Sequence, residues 1–69
     1  MNDSNKHREK IARMEQMLSQ TLEQIERAEA SLKHSESAAQ IEEIKEKNGR
    51  RLESAENFQR EMAEERSFL

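Results

Sequence analysis

Ile11, Leu18, Ile25 and Leu32 recur every seven residues, with Met14, Thr21 and Ala28 between them and Met17 and Leu22 broadening the stripe. Alternating steps of three and four place these residues on one face of an amphipathic helix. The pattern lapses around His34 to Ser37. There Ser37-Ala38-Ala39-Gln40 has the form of a capping box, a hydroxyl for an orphan backbone N–H with Gln three residues on, so a second helix is expected to start. In the second half the stripe runs through Ile41, Ile44, Asn48, Leu52, Ala55, Phe58 and Met62, and the paired steps of four around Asn48 read as a stutter. The pattern predicts an all-α chain of one domain, an antiparallel two-helix hairpin resembling a coiled coil. Its expected bounds are about 5–33 for helix 1, about 34–37 for the turn and about 37–66 for helix 2, with Met1 to Asn5 and Arg66 to Leu69 frayed.

One position leaves the architecture open. Asn48 puts a polar side chain in the apolar stripe, and Gly49 costs a helix interior about 1 kcal/mol relative to Ala. An unbroken helix 2 gives a long hairpin, whereas a kink or break at Asn48-Gly49 gives shorter helices and a three-helix arrangement.

Composition strengthens the helical reading. The 69 residues include no Pro, one Gly, no Val and a single Thr, so both turn punctuation and strand formers are scarce. Charged residues make up 39% of the chain, and many fall as acid-before-base pairs at i,i+4: Glu9 with Arg13, Glu23 with Arg27, Glu29 with Lys33, Glu43 with Lys47, Glu46 with Arg50 and Glu56 with Arg60. Such pairs support a helix that has little to pack. A lone hairpin of this size is expected to be marginal, which points either to a homodimer forming a four-helix bundle or to a dynamic monomer.

The same figures exclude most chemistry. A chain this short buries only about 60% of its unfolded surface, too little to wall an enzyme pocket. Without Cys there is no thiol, disulfide or Cys-based zinc site, and His7 and His34 carry no metal-ligand spacing and read as solvated. No catalytic, metal-binding or cofactor-binding residue is expected. A net charge of −3 disfavours phosphate backbones and anionic membranes, and no apolar run reaches the 18 residues of a membrane span or the core of a signal peptide, so the expectation is a soluble, non-secreted protein. The features left for partner contact are a basic patch of Lys47, Arg50 and Arg51 and the apolar residues Phe58 and Met62. Glu42, Glu43, Glu46 and Glu53 surround the patch and weigh against nucleic acid.

Two stretches go beyond generic helix: Gln16-Met17-Leu18-Ser19-Gln20-Thr21-Leu22-Glu23-Gln24-Ile25-Glu26-Arg27-Ala28-Glu29-Ala30-Ser31, and Ile44-Lys45-Glu46-Lys47-Asn48-Gly49-Arg50-Arg51-Leu52-Glu53-Ser54. In order and spacing they resemble the two characteristic segments of the small acid-soluble spore protein Tlp family, from about Ile11 to Glu65. The chain departs from that pattern in lacking proline and in carrying Gly49 where relatives tend to have Ala. The resemblance implies a protein made in the developing forespore and kept in the spore core; taken with the composition, the expectation is a non-enzymatic component with a structural or amino-acid storage role. It implies no catalytic residue and no cofactor. An unidentified spore protein is the partner it would allow. The alternative readings are a helical-hairpin interaction module, or a weak nucleic-acid binder using Lys47, Arg50 and Arg51.

Overall fold

Two long helices account for almost all of the computed structural model, which describes residues 3–34 and 37–69. Helix α1 spans Asp3–Leu32 and helix α2 spans Ala38–Arg66. The end of α1 is closed by tight i to i−3 bonds, Lys33 N to Ala30 O at 3.3 Å and His34 N to Ser31 O at 3.1 Å. Ser37 then caps α2 in extended conformation, its Oγ accepting from Gln40 N at 3.4 Å, as the Ser-x-x-Gln pattern predicts. Residues 35 and 36 of the expected turn, and residues 1 and 2 of the expected frayed start, lie outside the described residues.

The helices run antiparallel. His7 meets Glu65 at the open end, and Asn48 meets Ile25 near the middle, so each step forward along α1 is matched by a step back along α2. The residues turned inward are His7, Ile11, Met14, Leu18, Thr21, Ile25, Ala28 and Leu32 on α1, and Ile41, Ile44, Asn48, Arg51, Ala55, Phe58, Met62 and Glu65 on α2. Both series alternate three and four without interruption, the strict period of a two-stranded seam.

That series corrects the sequence reading at one place and settles the alternative left open at another. There is no stutter: Arg51 sits in the seam where the stripe placed Leu52, and Leu52 is 52% exposed. There is no break either, because α2 continues through Asn48 and Gly49 with no positive φ. Gly49 lies on the exposed side of a helix able to carry it, so its cost is one of propensity rather than geometry.

The core is thin. Among the described residues only Ile11, Ala55 and Met62 are buried, and no side chain is fully enclosed. The radius of gyration is 16.0 Å, against about 11 Å for a compact domain of this length. The hairpin is a rod, with Cα extents of 56 × 14 × 10 Å.

Candidate functional site

The seam stays polar at two levels, and these hold most of the specific contacts. In the middle, Asn48 Nδ2 donates across the seam to the Ile25 carbonyl at 3.4 Å, while Asn48 Oδ1 accepts from Arg51 Nη1 at 2.9 Å. An amide supplies both a donor and an acceptor, so it can pair with a helix carbonyl on one side and a guanidinium on the other.

The second polar level closes the open end of the hairpin. His7 Nδ1 donates to Glu65 Oε2, and Lys10 Nζ lies 3.7 Å from Glu65 Oε1. An ionised carboxylate can only accept, so the Nδ1 position must carry the proton. Phe68 stacks on the face of the His7 ring, with centroids 4.7 Å apart and ring planes at 10°. The Glu65 carboxyl is held below its ordinary value of 4.5, chiefly by the hydrogen bond from His7; partial burial opposes this, and the charges of Lys10 and His7 add to it.

The reading of His7 is overturned. His7, read as solvated, is half-buried, and the signal for it was its place four residues before Ile11 in the heptad series. Beyond α2 the backbone continues in tight turns, Phe68 N to Glu65 O at 3.2 Å and Leu69 N to Arg66 O at 3.0 Å. That brings Phe68 within reach of His7.

The residues singled out for partner contact fall into different environments. Lys47 pairs with Glu43 at 3.1 Å, Arg51 is engaged in the seam with Asn48, and Arg50 is exposed. The three cations keep neighbouring positions on α2, but Arg51 turns toward α1. Met62, 4% exposed, belongs to the core. Phe58 is half-buried and, with Met14 and Met17, floors an open groove along one flank, with Arg13 of α1 on one wall and Glu61 and Glu64 of α2 on the other. The opposite flank carries Leu22 and Leu52, both partly exposed and at the same height in the hairpin.

Among the described residues no group of three or more His, Asp or Glu converges as a metal ion would require. Among the described residues no helix is long and apolar enough to cross a membrane. What the arrangement does chemically is hold two helices in one register by polar contacts, with a groove left open beside them.

Comparison with curated proteins and with solved structures gives no match. Comparison with protein-family models gives one that covers residues 2–68 of the 69 and is described as small, acid-soluble spore protein Tlp. The match takes in both helices and the turn, so the whole hairpin is the family unit, and the chain belongs to the small, acid-soluble spore protein Tlp family.

Proposed function

We propose that this protein is a non-enzymatic component of the spore core, made during sporulation, with a structural or amino-acid storage role. The observation that carries the reading is the family match over residues 2–68. The thin rod is compatible with it: among the described residues only Ile11, Ala55 and Met62 are buried, and the groove beside them is open. A chain free of Cys and Trp lacks two of the oxidation-prone side chains, leaving its four Met as the oxidisable ones, and this suits storage.

The same thin core suits disposal. Proteolysis acts on locally opened chain, and a two-helix rod with half-exposed seam residues opens at little free-energy cost. Storage therefore makes a specific demand: the protein must be consumed when the spore returns to growth. Its abundance, followed by quantitative immunoblot through germination, is expected to fall as free amino acids appear. A level that stays constant through germination and outgrowth removes the storage role.

A further inference from the structure

The groove floored by Met14, Met17 and Phe58 has walls of opposite sign, Arg13 on α1 and Glu61 with Glu64 on α2. Lys10 and Glu65, at the same end, are already paired with each other. Arg13, Glu61 and Glu64 make no ion pair among the described residues, although they line one groove. Met17, on the floor, is 48% exposed. An apolar strip between two unpaired rims of opposite charge is complementary to its own copy.

We propose that this groove is the contact face between two copies of the chain, related by a twofold axis parallel to the length of the hairpin. Rotation about such an axis lays α1 of one copy over α2 of the other at the same height. Arg13 of each copy then faces Glu61 and Glu64 of the other, and the strips of Met14, Met17 and Phe58 meet at the centre. Each helix has antiparallel neighbours on two sides, the packing of a four-helix bundle. A twofold perpendicular to the length of the rod would instead lay α1 on α1 with the heights reversed, and would not bring Arg13 opposite Glu61 and Glu64.

The exposed area calls for the same partner. The chain presents 5533 Å² to solvent, whereas a compact protein of its mass would present about 4,500 Å². The excess is close to the roughly 800 Å² per partner that a stable interface of standard size buries. A second copy is the occupant that supplies an acidic wall for Arg13 and a basic wall for Glu61 and Glu64 at the same spacing.

Sedimentation of the full chain from about 1 µM to about 1 mM is the test. The expected result is a dimer of twice the 8.1 kDa chain mass. Arg13→Glu and Glu64→Arg should each weaken dimerisation about tenfold or more, since each substitution reverses a contact made twice. The double variant should regain the dimer, and it also restores the balance of charge within each groove, so it carries the test even if a single variant folds poorly. Leu22→Glu, about 140° around α1 from Met17, should leave the dimer intact. A chain that stays monomeric throughout overturns the proposal. So does a dimer lost on Leu22→Glu and indifferent to Arg13→Glu, or a double variant that is helical by circular dichroism yet monomeric.

Discussion

Asn48 reaches across the hairpin to the backbone carbonyl of Ile25, 3.4 Å away, from a seam position that an aliphatic residue would fill. A polar group there weakens packing but penalises any slip of one helix against the other, since a slipped amide would lose its partner. Asn48→Ile should therefore raise the stability of the hairpin by about 1 kcal/mol and loosen its register. Urea denaturation reads the first effect. The second appears as doubled or broadened amide resonances in residues flanking Ile25.

Gly49 offers a gain without that trade. A Cβ built there meets nothing within 4 Å, and the backbone is helical without positive φ. Gly49→Ala should stabilise the chain by about 1 kcal/mol in urea denaturation. Loss of stability would mean that α2 bends at this point.

The placement of Arg51 rather than Leu52 in the seam sets up a contrast between two apolar residues. Met62, 4% exposed, should cost about 2 kcal/mol or more when cut to Ala, enough to unfold much of so thin a hairpin. Leu52→Ala, at an exposed position, should stay within about 0.5 kcal/mol of the parent. Equal losses at the two positions would restore the stuttered stripe. Helicity followed against temperature separates the outcomes.

Glu65 gives the acid limb its shape. Its contacts with His7 and Lys10 hold the folded carboxyl below 4.5, so the folded chain binds that proton less readily than the unfolded chain does. The stabilisation is complete above 4.5 and is lost as the pH falls through the lowered folded value. Glu65 sits at the open end of the hairpin and burial works against the shift, so the effect is modest. Glu65→Gln should flatten the fall in stability below pH 4.5, and acid titrations of the two proteins that run parallel would contradict the pairing.

The elements were legible because their signals are local. The seven-residue recurrence of Ile11, Leu18, Ile25 and Leu32 marks α1, and Ser37 with Gln40 marks the start of α2. Glu23–Arg27 and Glu43–Lys47 close as the i,i+4 spacing predicts, at 2.8 and 3.1 Å, whereas Arg60 turns instead to Asn57 Oδ1 at 3.1 Å. The polar seam residues were not legible by hydropathy. A search for apolar side chains picks Leu52 over Arg51 and passes over His7 and Glu65, although strict continuation of the three-four alternation selects all three polar residues. The groove was less legible still. It depends on which residues of α2 lie beside Arg13 and Met17, and that follows only once the register is fixed across the hairpin.

The compartment and time at which the protein is made test the central reading most directly. Fluorescence microscopy of a tagged copy at its native locus, followed from vegetative growth through sporulation, should show signal first in the developing forespore and then retained in the spore core. Signal in vegetative cells at a comparable level, or in the mother cell alone, would contradict a spore-core component.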